Sequence, residues 1–348
     1  MTRIARTTST GASFLRRLPP LSTAIAVAML LSVPSAVGAA EEQANFSELI
    51  DKLPAKSAGQ AEVVYRAVLA GKGEAVARLA DMICEPDKGN DAKARYALHG
   101  LVTYVCRPGA EAERKLVAAA LAGMLDSDRP ALVKVFWIRQ LQLCGRAEAV
   151  GPLAAALRDE ALCEPAAQAL LAIGADAEVF REALTETPAS RRATIVQALG
   201  LKRDTKVVPA LLKLAADSDG PVRTAAIEAL GNIGDARAKE TLLQAAGAEG
   251  YNRHVASDAC LKLARRLAEA DKPKDAESIF RSLLKTHTKP QDAQVRCAAV
   301  RGLVETLGDN AIDDLLAAMK ETDPQVRLTA IAAGADIPGK EATRKWIA

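Results

Sequence analysis

One pattern in the 348 residues returns at a nearly fixed spacing, and an internal repeat constrains a fold more tightly than composition does. Pro221-Val222-Arg223-Thr224-Ala225-Ala226-Ile227-Glu228-Ala229-Leu230-Gly231-Asn232-Ile233-Gly234 is echoed 73 residues later by Gln294-Val295-Arg296-Cys297-Ala298-Ala299-Val300-Arg301-Gly302-Leu303. It returns 31 residues further on as Gln325-Val326-Arg327-Leu328-Thr329-Ala330-Ile331. Moving backwards, Arg192–Gly200, Leu162–Gly174 and Val133–Gly145 lie 31, 60 and 89 residues earlier. The period is 29 to 31 residues, broken by one longer unit between about Tyr251 and Pro290.

Columns of equivalent positions show what repeats. Leu141, Leu170, Leu199, Leu230 and Leu303 form one column; Ile138, Ala167, Val196, Ile227, Val300 and Ile331 form another. A third holds Trp137, Ala166, Ile195, Ala226, Ala299 and Ala330. The columns stand three or four residues apart, the stripe of a helix buried on one side. Small residues in the third column let neighbouring helices approach closely, in keeping with only 3% aromatic residues in a chain that is 49% hydrophobic. Asp159, Asp219, Asp292 and Asp323 stand where N-caps are wanted, Pro324 takes a first helical position, and Gly145, Gly174 and Gly234 mark helix ends. Shorter partner helices are expected at Asp235–Ala246, Thr205–Ala216 and Asn310–Lys320. The expected fold class is all-α: a right-handed α-solenoid of about seven to nine stacked antiparallel helical hairpins.

Asp219-Gly220-Pro221-Val222-Arg223 through Gly234, together with Asp323-Pro324-Gln325-Val326-Arg327, resembles the HEAT-like repeat family in its short bacterial form, first associated with bilin lyases. The resemblance is clear over about 130–340 and blurred over about 44–128. It implies a binding scaffold, because the family serves many partners; bilin attachment or other enzymatic chemistry is the alternative by analogy of fold. Asp258-Ala259-Cys260-Leu261-Lys262-Leu263-Ala264 through Ala276-Glu277-Ser278-Ile279-Phe280 departs from the pattern and looks more like a tetratricopeptide hairpin, which predicts a change of curvature. The domain organisation expected is therefore a leader over 1–39, degenerate repeats or a cap over 40–128, and repeats over 129–250. The long hairpin over 251–290 and a last block with a C-terminal cap over 291–348 complete it.

The leader rests on its own evidence. Arg3, Arg6, Arg16 and Arg17 form a basic start without acids, Leu21–Val33 is a 13-residue uncharged run, and Ser35-Ala36-Val37-Gly38-Ala39-Ala40 supplies small residues. This is the layout of a secretory signal cleaved after residue 38, 39 or 40, and the apolar run is short for a membrane span. Removing four arginines leaves 42 basic and 43 acidic residues, without the basic surplus of a nucleic-acid binder. The expectation is an exported protein, periplasmic or secreted, without a membrane segment after the signal is removed, that meets a protein of the cell envelope.

Lys134, Cys163, Arg192, Arg223, Arg296 and Arg327 form a column that is basic at five of six positions. The reading is structural: arginines paired with Asp219, Asp292 or Asp323 of the same or next unit. Arg139, Gln168, Gln197, Glu228 and Arg301 form a second column, opposite the buried stripe, expected on the concave face where solenoids bind partners. Its mixed charge suits a protein or peptide. Among Tyr96, Tyr104, Phe136 and Trp137, Tyr96 falls at an exposed register and joins the partner-binding set, whereas Trp137 falls in the buried column.

Six cysteines occupy positions 84, 106, 144, 163, 260 and 297. Cys106 and Cys144 both end helices of one layer on the same edge, so theirs is the disulfide the geometry favours; otherwise all six are small buried residues. His99, His254 and His287 are too scattered for a zinc site, and no nucleophile elbow, phosphate loop or dinucleotide fingerprint occurs. The chain reads as a non-catalytic scaffold, with no cofactor and no metal.

Overall fold

The computed structural model describes residues 45–250, 252–335 and 337. The leader expected over 1–39 lies outside them, as does nearly all of the expected C-terminal cap. The repeats belong to a packing unit that begins at Glu48. Every helix described is α-helical or a short 3-10 turn, and no strand occurs among the described residues.

After α1 (45–51) the chain alternates between two layers. One layer contains α2 (Ala58–Ala70), α4 (Ala92–Val105), α6 (Ala131–Cys144), α8 (Cys163–Ala172), α10 (Ala189–Leu201), α12 (Gly220–Ile233), α14 (Asn252–Glu269), α16 (Ala293–Leu307) and α18 (Pro324–Ala335). The other contains α3 (Lys72–Asp81), α5 (Glu111–Gly123), α7 (Ala147–Ala156), α9 (Ala177–Glu186), α11 (Val208–Leu214), α13 (Lys239–Gly247), α15 (Pro273–Thr286) and α17 (Ile312–Met319). Each even helix packs on its even neighbours in the stack and on at least one odd neighbour in the chain. This nearest-neighbour stacking is an α-solenoid. It already governs 58–123, where α2 packs on α4 and α3 on α5.

α12 shows why the sequence folds this way. Asp219 Oδ1 accepts from the Val222 N–H at 3.0 Å, Pro221 sits in the first turn, and Gly234 closes the helix at φ +80°. Val222, Ala225, Ala226, Ile227, Ala229, Leu230 and Ile233 are buried, the stripe expected from the columns. The backbones approach closely: a Cβ added to Gly200 would lie 2.7 Å from the Ala229 Cα, and one added to Gly231 would lie 2.7 Å from both the Ala259 Cα and its carbonyl oxygen. Both distances are impossible for real atoms, so only glycine fits the contacts of α10 with α12 and of α12 with α14. The short odd helices enter through 3-10 turns at Thr205–Val207, Ala236–Ala238 and Gly308–Ala311, the first two capped by Asp204 and Asp235.

Three expected helix signals differ. Asp159 does not stand at the start of α8: Leu162 takes the cap position, and Asp159 Oδ1 accepts from the Ala161 and Leu162 N–H groups in the turn before it. Asp292 does not cap α16: its carboxylate is turned instead to the Lys289 N–H at 3.1 Å and to Arg253. Gly145 ends α6 at φ −65°, because the chain runs straight on in extended form to α7 and needs no left-handed residue. The long unit is a hairpin of an 18-residue and a 14-residue helix, α14 and α15.

Candidate binding surface

The basic column does not make the uniform carboxylate ladder expected from sequence. Arg296 does: its side chain, 6% exposed, pairs with Glu321 at 2.8 Å and approaches Asp323 of the next unit at 3.8 Å. Arg223 and Arg327 instead donate to loop carbonyls, Arg223 to Asp217 and Ser218, and Arg327 to Glu321 and Thr322 at 2.9 and 2.8 Å. The carbonyls win because each aspartate faces its own helix start: Asp219 and Asp323 are occupied by backbone N–H groups. Lys134 lies with Asp159 along one cleft, and Arg192 stands half-buried on α10. Arg95, a further member of the column, pairs with Asp91 at 2.8 Å and donates to the Cys84 carbonyl at 2.7 Å. Burial acts most strongly on the Asp91 carboxyl and pushes it up, but the Arg95 bond, the Cys84 N–H and the Arg95 charge together hold it below its ordinary value.

The second column lies on the solvent side of the even layer. Arg139, Gln168, Gln197 and Arg301 are exposed, and Glu228 is half-buried. Gln197 and Glu228 meet in one groove of about 710 Å³, formed by α10, the first turns of α12 and the start of α14. Ala193, Pro221 and Ala225 give it an apolar floor; Arg223, Thr224, Glu249 and Asn252 give it polar walls. Thr224 Oγ1 donates to Asn252 Oδ1 at 3.2 Å, which ties the two walls together. Arg301 lines a separate groove with Gln294, Cys297 and Gln325. Arg139, Gln168 and Tyr96 stand on α6, α8 and α4, apart from the groove that joins Gln197 to Glu228.

The aromatic residues of the N-terminal half divide between several neighbours. Trp137 is fully buried and its Nε1 donates to the Ala80 carbonyl at 3.3 Å. Tyr104 pairs with Tyr65 at a ring separation of 5.5 Å, lies under Arg107 at 3.7 Å and donates to Glu62 at 3.0 Å. That hydrogen bond, then the Arg66 charge, holds the Glu62 carboxyl below its ordinary value. Phe136 lies under the Arg95 guanidinium at 4.7 Å. Tyr96 alone of the four faces solvent, at 49% exposure.

Sequence reasoning missed a polar cluster in the long unit. Arg253 grips Asp292 with two hydrogen bonds, one of 3.0 Å, and these side chains are 13% and 2% exposed. Ser257 Oγ donates to the Arg253 carbonyl at 2.7 Å and lies 2.8 Å from His287 Nε2. A hydroxyl beside an imidazole is the geometry of an activated nucleophile. Here Ser257 is 1% and His287 0% exposed, so no substrate reaches them and the pair is part of the interior. Burial, then the Arg253 charge, pushes the His287 pKa down, while the Arg253 hydrogen bond holds Asp292 low. No motif announces this cluster; its residues lie in the stretch where the repeat register lapses. Among the described residues, no group of three or more His, Cys, Asp or Glu could hold a metal ion.

A family model described as HEAT repeats matches residues 177–260, spanning α9 to α13 and the first half of α14. That stretch carries HEAT repeats. A helical solenoid with such repeats is suited to protein interaction, and no helix among the described residues is long and apolar enough to cross a membrane. Two engineered proteins of known crystal structure align with it at 18% and 19% identity. The first alignment covers 87% of this chain and 91% of the other, with a TM-score of 0.38; the second covers 83% and 94%, with a TM-score of 0.19. No curated protein matches the chain.

Proposed function

We propose that this HEAT-repeat protein is a non-catalytic, exported scaffold that holds a segment of a cell-envelope protein along the solvent side of its even helices, taken as the concave side of the solenoid. The observation that carries this reading is the groove shared by Gln197 and Glu228, two members of one repeated column brought together on adjacent even helices. Amide groups at Gln197 and Asn252 offer a donor and an acceptor each to an extended backbone. Glu228 adds a carboxylate and Pro221 an apolar contact. Export rests on the basic, apolar and small-residue layout of the first forty residues.

A photo-cross-linking side chain placed at Gln197, and in parallel at Lys213 on the odd layer, tests the reading in the full chain expressed in its own cells. Capture of one partner from position 197 only, abolished by Glu228→Arg, is the expected result. Equal capture from both positions, or capture indifferent to Glu228→Arg, overturns the placement. Recovery of the mature chain in the cytoplasmic fraction overturns export.

A further inference from the structure

We propose that Cys106 and Cys144 are a dithiol that closes to a disulfide across α4 and α6, Cys106 meeting the oxidant and Cys144 displacing it. Cys106 caps the end of α4 and Cys144 is the last residue of α6, the next helix of the same layer. The Cys106 thiol lies 3.8 Å from the Leu143 carbonyl oxygen. That oxygen belongs to the peptide leading into Cys144, so covalent geometry puts the Cys144 Cα within about 7 Å of the Cys106 sulfur. A disulfide needs the two sulfurs about 2 Å apart, so closure requires the two thiol side chains to turn toward each other.

The backbone at Cys144 is held in place. Arg114, from α5, donates to the Cys144 carbonyl at 2.5 Å and to Glu148 at the same distance. The arginine therefore braces the backbone at Cys144 while the Cys106 thiol remains accessible. Cys106 is exposed; Cys144 is fully buried. Burial, with a smaller contribution from the neighbouring Cys106, pushes the Cys144 thiol up to about 12. The order of events follows from this asymmetry.

The oxidant is a small disulfide of the glutathione class. The Cys106 thiol loses its proton to water, and its sulfur attacks the oxidant. One glutathione leaves as thiolate and the other stays on Cys106 as a mixed disulfide. The Cys144 sulfur then attacks Cys106. Its proton passes to the departing second glutathione. Two protein thiols and one oxidised glutathione become one protein disulfide and two reduced glutathiones. In an oxidising compartment the closed form persists. It would tie α4 to α6 independently of the groove at Gln197.

The test uses the reduced full chain, oxidised glutathione and peptide mapping by mass spectrometry. Unaltered protein is expected to yield a Cys106–Cys144 linked peptide without retained glutathione. Cys144→Ala is expected to retain one glutathione on Cys106, and Cys106→Ser to give neither product at these positions. A glutathione that stays on Cys106 of the unaltered chain, or a Cys106 linked to a different cysteine, overturns the proposal. The unaltered chain decides this on its own if a variant fails to fold. Reducing agent should also lower the melting temperature of the oxidised protein and leave both variants unmoved.

Discussion

The regular repeats around α10 to α13 and the long unit of α14 and α15 bury similar helices by different means. In the regular repeats the even helices meet through small residues, Gly200 on Ala229 and Gly231 on Ala259, and Arg223 satisfies loop carbonyls at the surface. The long unit buries an ion pair, Arg253 with Asp292, beside Ser257 and His287, and presses Phe280 onto Gly302, where an added Cβ would lie 2.3 Å from the ring. A strict period supplies the same close contact at each step. Where the period lapses, directional polar bonds fix the helix positions instead. Such bonds add less net stability than apolar packing but are costly to break on one side.

The largest expected effect tests the polar side of this contrast. Asp292→Ala leaves Arg253 nearly buried without its partner. It should cost about 3 kcal/mol in denaturant unfolding, the low end for a buried pair because the guanidinium keeps some solvent. Gly231→Ala tests the other side. It forces a Cβ into the Ala259 backbone and should cost about 2 kcal/mol, the middle of the range for overpacking. An unchanged midpoint for Gly231→Ala would mean the even helices can slide apart freely.

A smaller effect separates the regions by pH. The folded state holds His287 below its ordinary 6.5, so stability is complete above that value. Below it the unfolded chain takes up the proton first, and stability falls until the folded pKa is passed. Asp292 is shifted down from 3.8, so its share is present above 3.8 and lost as acid takes the pH lower. His287→Gln should flatten the first window and leave the second, as read by melting temperature against pH. The smallest effect belongs to Arg223→Ala, about 1 kcal/mol for its loop hydrogen bonds. A loss as large as that for Asp292 would erase the distinction between the regions.

The all-helical stack was legible because the period writes the same buried stripe in every unit, and α12 uses the capping residues that the sequence marks. The ladder was half legible. Asp219 and Arg223 advertise a pair by spacing, but in the fold Asp219 turns to the helix start and Arg223 turns to the loop carbonyls. The same spacing at Asp91 and Arg95 carries the repeat register back into the N-terminal segment, a signal the column comparison passed over. Gln197 and Glu228 could be paired from their column. Asn252 and Glu249 could not, since the groove wall they build comes from the loop where the register breaks. The Arg253–Asp292 and Ser257–His287 bonds span 39 and 30 residues in the unrepeated unit, beyond any column comparison.

The nearest-neighbour stacking also sets how the molecule comes into being. Each even helix finds both its partners within a few tens of residues of chain, so closure of one hairpin on the last costs little loop entropy and the fold is built from local steps. A chain emerging end-first from any narrow exit can therefore zip up behind itself, hairpin by hairpin.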